Sequence, residues 1–156
     1  MEHTIMKRSI ALFACGVAAA SVSGLAAPHA VAEEGFVQII HVQDNTCLHV
    51  NGASVTLEGS CGPKSAQRWD MPDKDGTIRL HDDHNVCLDS NAAGQVYARA
   101  CNGGAYQSWW RSRTPLSSTW MLKDAATGRC LDGNKGAVYT SVCSKSNGYE
   151  RWRFQN

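Results

Sequence analysis

The chain carries seven cysteines, yet no two of them stand two to four residues apart. That close spacing is what a structural zinc site built on thiolates needs, so cysteine-bound metal is excluded. No serine elbow, phosphate-cradling glycine loop or zincin motif occurs either. Catalysis therefore has no visible machinery, and a non-enzyme that needs no cofactor is expected. Charge of one sign is also lacking, with Lys and Arg at 15 against 14 for Asp and Glu. A basic footprint of the kind that nucleic acid or an anionic membrane requires is missing, so neither is expected as the main partner. Long apolar runs are absent as well: Ile10 to Ala20 is well short of the roughly 20 residues that span a bilayer.

What the first residues do contain is ordered. A basic pair, Lys7-Arg8, precedes that apolar run, and Ala30-Val31-Ala32 stands just ahead of Glu33-Glu34. Charged n-region, apolar h-region and an Ala-x-Ala site together describe a secretory signal peptide, expected over residues 1–32. Its removal takes away Glu2, Lys7 and Arg8 and leaves residues 33–156 formally neutral. That segment is enough for one secreted domain with no membrane span.

Within it, one motif is written three times. The fullest copy runs Cys87-Leu88-Asp89-Ser90-Asn91, Gln95-Val96-Tyr97, Cys101-Asn102-Gly103-Gly104 and Tyr106-Gln107-Ser108-Trp109. Another is Cys130-Leu131-Asp132, Val138-Tyr139, Cys143 and Tyr149-Glu150-Arg151-Trp152. The most eroded comes first, as Cys47-Leu48-His49, Cys61 and Gln67-Arg68-Trp69. First cysteines are 40 and 43 residues apart, second cysteines 40 and 42, closing tryptophans 40 and 43. A fixed period means one small unit per repeat, over about 36–75, 76–117 and 118–156, each burying its neighbours' apolar faces. Six cysteines formally allow fifteen pairings. Equivalent units should close equivalently, giving Cys47–Cys61, Cys87–Cys101 and Cys130–Cys143, bonds that persist in an oxidising compartment.

Phe36–Val42, Thr77–His81, Gln95–Ala98 and Thr119–Leu122 are rich in strand formers, and turn pairs such as Asn51-Gly52, Asp75-Gly76 and Asn147-Gly148 separate such runs. No convincing helical period appears in this segment. The pattern is that of an all-β sandwich, barrel or related fold. A period near 40 with Trp69-Asp70 also suggests a β-propeller. Three repeats fall short of the roughly four blades that a propeller needs.

The Cys-Leu-Asp opening, the cysteine couple and the closing Gln-x-Trp resemble the ricin B-chain-type lectins, across essentially the whole of 33–156. The resemblance implies an all-β β-trefoil of three repeats with pseudo-threefold symmetry. In motif the middle repeat is closest to the actinohivin-like secreted bacterial lectins. A sugar offers vicinal hydroxyls and an apolar face, so a site needs a carboxylate, an amide that donates and accepts, and an aromatic wall. Asp89, Asn102, Tyr97 and Tyr106 supply that set, and the resemblance places them in one shallow pocket. Asp89 is expected there as a surface carboxylate. Arg99 stands where the resembled repeat has a sugar-touching leucine.

In the third repeat Asp132, Tyr139 and Tyr149 remain, while Ser144 replaces the asparagine and Glu150 the glutamine. The first has His49 for Asp, Gly62 for Asn, and Leu57 and Ala66 at the matching wall, and is read as structural only. Gln67, Trp69, Gln107, Trp109 and Trp152 are read as scaffold, since a buried indole fills core volume while its N–H takes a partner. Trp110 is extra and expected at the surface. His81-Asp82-Asp83-His84 is read as a solvated polar turn, and no metal is assigned. The expected function is a secreted lectin for glycans or polysaccharide, of mannose or galactose type, using the middle and third repeats. The alternatives are a non-catalytic adaptor or binding subunit of a secreted complex or toxin, with a protein partner, and a trefoil-type protease inhibitor.

Overall fold

The alternating runs become short antiparallel strands, because each has only a few residues between turn signals. The computed structural model describes residues 35–156, so the expected signal peptide lies outside the described residues. In chain order the strands are β1 (Gln38–His41), β2 (Thr46–Asn51), β3 (Ser54–Glu58), β4 (Trp69–Asp70), β5 (Gly76–Thr77), β6 (Arg79–Leu80) and β7 (Asp83–Ser90). They continue with β8 (Val96–Ala100), β9 (Ser108–Arg113), β10 (Trp120–Asp124), β11 (Cys130–Asn134), β12 (Ala137–Ser141) and β13 (Trp152–Gln155). A single 3-10 turn precedes each closing tryptophan, at Ser65–Gln67, Ala105–Gln107 and Gly148–Glu150. Among the described residues no helix is long and apolar enough to cross a membrane.

The strands make two rings. In the barrel ring, the last strand of each unit pairs with a strand near the start of the next: β4 with β6, β9 with β10, and β13 with β1. The three tryptophans sit at its joints. Trp69 is registered with Val37 and Leu80, Trp109 with Gly76 and Asp124, and Trp152 with Trp120 and His41. Each thus touches a strand of its own unit and one of the following unit. Their rings are at most 1% exposed and join Ile39, Leu48, Ile78, Leu88, Leu122 and Leu131 in one core. This is the β-trefoil that the family resemblance implies.

The second ring is a cap of three hairpins, β2–β3, β7–β8 and β11–β12. Their tips are joined by three equivalent backbone bonds: Leu57 N–H to the Gly136 carbonyl, Ala98 N–H to Ala53, and Thr140 N–H to Gly94, at 2.8–2.9 Å. Gly94 has no substitute here, since its φ is +88° and a Cβ would stand 2.9 Å from the Thr140 oxygen. The three cysteine couples are joined as the repeat demands, with Cα atoms 5.3, 5.1 and 4.9 Å apart. Each closes a loop of about 14 residues, a restriction of the unfolded chain on the order of 3 kcal/mol.

The joint tryptophans carry a direct prediction. Trp109→Ala removes a ring at 1% exposure and leaves the buried Leu88 carbonyl without its indole donor. It should cost about 3–5 kcal/mol in a urea melt. A loss below 1 kcal/mol would mean that the barrel joint closes without it.

Candidate functional site

The first two units build the same polar bridge beside their tryptophans. Gln67 accepts from Gly62 N–H at 3.1 Å and donates to the Ser60 carbonyl at 3.1 Å. Gln107 accepts from Asn102 N–H at 2.7 Å and donates to the Ala100 carbonyl at 3.0 Å. Both glutamines are fully buried, in keeping with a scaffold role, and they fasten the chain on either side of the second cysteine. Trp110, by contrast, is 44% exposed.

In the middle unit the bridge reaches further. Nε2 of Gln107 also donates to Asp89 Oδ2 at 2.7 Å. Asp89 lies on β7 directly across from Tyr97 on β8. The Tyr97 hydroxyl donates to the Ser90 carbonyl at 3.1 Å. Tyr106 precedes Gln107 on the 3-10 turn and is 38% exposed. One glutamine side chain therefore collects Asp89 and the Asn102 backbone, with Tyr97 and Tyr106 flanking.

Two details differ from the sequence expectation. Asp89 is not a surface carboxylate: it is 2% exposed, because Gln107 draws it inward. Its loss should cost about 1–3 kcal/mol, the penalty of a broken buried hydrogen bond. Asn102 spends its Oδ1 on Gly104 N–H at 2.7 Å, ordering its own Asn-Gly-Gly turn, and offers only its amide NH2 outward. Arg99 crosses near the carboxylate, with Nε 3.9 Å from Asp89 Oδ2, but its side chain is more than half exposed and solvent screens the pair.

The third unit solves the same problem with different atoms. Glu150 is fully buried and has no N–H to give, so it only accepts, taking Ser144 N–H at 2.7 Å. Ser141 Oγ stands between the two acids, 2.7 Å from Asp132 Oδ2 and 2.8 Å from Glu150 Oε1. One hydroxyl has one proton, so it serves one acid at a time. Asn147 Nδ2 supplies further N–H bonds, 3.0 Å to Asp132 and 3.3 Å to Glu150. Asp132 Oδ1 is buried with no hydrogen-bond partner. Tyr139 faces Asp132 across the β11–β12 ladder, as Tyr97 faces Asp89. Tyr149 is 39% exposed and stacks on the buried His41 ring, with centroids 6.1 Å apart. Sequence reasoning missed Ser141, Asn147 and His41. The signal for Ser141 was its place two residues before Cys143; that for His41 lies a whole repeat away.

His41 is held on both ring nitrogens, by Asp44 Oδ1 at 2.6 Å and the Tyr149 carbonyl at 3.0 Å. Burial works to raise the Asp44 carboxyl, but hydrogen bonds from Thr46 and His41 outweigh it and hold it below its ordinary value.

The first unit corrects one register. Leu57 was expected at the wall, but His49 pairs with Thr56, and Leu57 turns into the core at 8% exposure. A one-residue slip exchanges the two faces of a strand. His49 contacts Glu58 at 3.1 Å, and Glu58 also meets Lys64, so these polar contacts stand where the other two units have their aspartate and tyrosine. The His81–His84 turn also departs from the solvated reading. Asp82 pairs with Arg68, while His81 and His84 converge on Asp70, at 2.6 and 2.9 Å. Asp70 was invisible from the motif, being eleven residues upstream on β4.

Tyr139 provides a readout of the third unit. Burial, then the adjacent Asp132 charge, push its phenol above the ordinary tyrosine value. An unfolded tyrosine titrates near pH 10, so this group's stabilisation is complete below about pH 10 and fades as pH climbs through the folded value. An alkaline absorbance titration should show one of the four tyrosines ionising after the rest. Asp132→Asn should bring it back toward them; four coincident titrations would contradict the geometry.

The family model described as the ricin-type beta-trefoil lectin domain matches residues 35–152. Among solved structures, the designed threefold-symmetric protein ThreeFoil superposes with a TM-score of 0.66 at 20% identity, covering 78% of this chain and 99% of that one. SeviL bound to asialo-GM1 saccharide gives 0.64 at 15% identity, with 78% and 96% covered. A non-toxic homologue of type II RIPs from Momordica charantia (bitter gourd), in complex with alpha-methyl-D-galactoside, gives 0.63 at 20% identity, with 78% and 48% covered. No curated protein matches the chain in sequence. Identities this low speak to fold alone, but the family match spans most of the chain and coincides with three units closed by tryptophan and disulfide. The chain belongs to the ricin-type beta-trefoil lectin domain family.

Proposed function

We propose that the protein is a secreted lectin that binds glycans through two shallow sites, one on the middle unit and one on the third. The observation that carries this is the repetition of one triad. Asp89 and Asp132 each face a tyrosine across a hairpin, and each unit adds a half-exposed tyrosine on its 3-10 turn. The first unit has His49 facing Thr56 instead. An aspartate accepts sugar hydroxyls, and an exposed tyrosine presents an apolar face with a polar tip. The alpha-methyl-D-galactoside and the asialo-GM1 saccharide bound by two structural neighbours agree with this direction. The motif likeness to actinohivin-like repeats favours mannose, and Arg99 is the residue we expect to shift that choice. Export agrees with three disulfides in a domain of this size.

Reversible binding, without bond making, is the mechanism. One shallow site holds a monosaccharide at about the millimolar level, near −4 kcal/mol. Two sites on one rigid body raise avidity for clustered glycans where their spacing fits. The discriminating experiment is a glycan array followed by calorimetry with the best soluble hit. Two sugars per chain are expected. Asp89→Asn keeps an acceptor for Gln107, so it should remain folded while losing most binding at the middle site. Asp132→Asn should weaken binding to a multivalent surface far more than to a free sugar. Three sugars per chain, or parent-like binding by Asp89→Asn, would refute this assignment of sites. An array with no hit, together with a co-purifying protein, would favour the adaptor role instead.

A further inference from the structure

We propose that Asp70, His81 and His84 form a binding site for a divalent first-row transition-metal ion, with Zn2+ as the probe, clamping the first unit to the second. The site shares no side chain with the proposed glycan residues. Asp70 ends β4 of the first unit, and the two histidines flank the turn between β6 and β7 of the second. The turn is shaped by an irregularity: β6 and β7 shift register between Arg79 and Leu80. Bulges of this kind re-aim side chains at the end of a ladder. His81 N–H bonds the Arg68 carbonyl at 2.9 Å, which anchors the turn to the first unit.

The donor geometry is close to that of a bound ion. One ligand atom from each of the three residues lies within 4.8 Å of the others. Two imidazoles share the one carboxylate, His81 Nδ1 on Oδ1 at 2.6 Å and His84 Nε2 on Oδ2 at 2.9 Å. Ligands about 2.0–2.1 Å from a tetrahedral ion stand roughly 3.4 Å apart, so movements of about 1 Å admit it. The ion would take the place of the two N–H protons that the carboxylate now accepts. The Phe36 ring packs against His81 with centroids 5.4 Å apart and limits its rotation. Asp82 is held by Arg68 and does not compete for the ion.

Two imidazole nitrogens and one carboxylate oxygen suit zinc, copper or nickel, and are poor for calcium or magnesium, which prefer all-oxygen cages. Three protein ligands leave a fourth position for water or an exogenous donor. Asp70 and His84 form part of the wall of an open cavity of about 730 Å³, so such a donor has access. Asp73 and Arg79 line the same cavity, so charges of both signs face that position.

The place gives the ion a purpose. Of the three barrel seams, β9–β10 has five registered pairs, β1–β13 has four and β4–β6 only two. Asp70 belongs to that shortest seam, and the histidines follow it. A ligand that binds only the folded state raises its stability with the logarithm of the ligand concentration once that exceeds Kd.

The test is calorimetric titration of the purified protein with Zn2+, paired with thermal melts with and without the ion. We expect a Zn2+ site and an upward shift of Tm, with no shift from Ca2+. His84→Gln should weaken that site by at least about tenfold and abolish the shift. Its side chain is 65% exposed, so the variant should melt like the parent when no ion is added. Asp70→Asn should weaken binding similarly, whereas His49→Gln, outside the cluster, should leave it intact. Absence of a Zn2+ site in the parent, or equal affinity in His84→Gln, would overturn the proposal.

Discussion

Three buried indole N–H groups hold this architecture in register. Each donates to the carbonyl of a leucine 21 residues earlier, Trp69 to Leu48, Trp109 to Leu88 and Trp152 to Leu131. The separation is constant although the hairpins between differ in length. The same bond ties the barrel strand that bears the ring to the hairpin strand that bears the leucine, so barrel and cap cannot slide independently. Because each ring also touches the following unit, no unit can complete its own core. Cooperativity among the three is thus built into one side chain per repeat.

The residues proposed to bind glycan occupy the layer next to this lock. Asp89 accepts its hydrogen bond from Gln107, the residue that also fastens the disulfide loop. The proposed site and the fold therefore share an atom, Gln107 Nε2, and a change there would disturb both. The third unit carries Glu150 at the same place and has been rebuilt around it, with Ser141 and Asn147 supplying protons that glutamine would have given. Scaffold symmetry survives in all three units, while the polar layer has drifted in each.

Much of the scaffold was legible in the sequence because it depends on local spacing. Cysteine couples, Gln-x-Trp and turn pairs recur within about 25 residues of one another, and each maps onto one unit. What was not legible depended on pairings that no motif announces. Thr56 rather than Leu57 faces His49 because the first unit has one more residue between its hairpin and Cys61, which flips the strand face. The burial of Asp89 follows from a side chain 18 residues away. Asp70 meets His81 and His84 only because two-residue strands pair across a register shift. The exposure of Asp89 and of the tyrosines around it could not be read from chemistry alone.

The ring of hairpin tips has a consequence for how such repeats diverge. Each tip opens with an asparagine, Asn51, Asn91 or Asn134, but the middle turn holds one residue more than the others. The excess is absorbed by the Asn91 side chain, which accepts from Ala93 and Gln95 N–H at 3.0 and 3.1 Å. The Gly94 carbonyl still arrives where Ala53 and Gly136 place theirs. Length can change on the outer side of that oxygen without disturbing the neighbouring hairpin, but not on the inner side. Tolerance of insertion is set here by which atom must hold its station, rather than by how exposed the loop is.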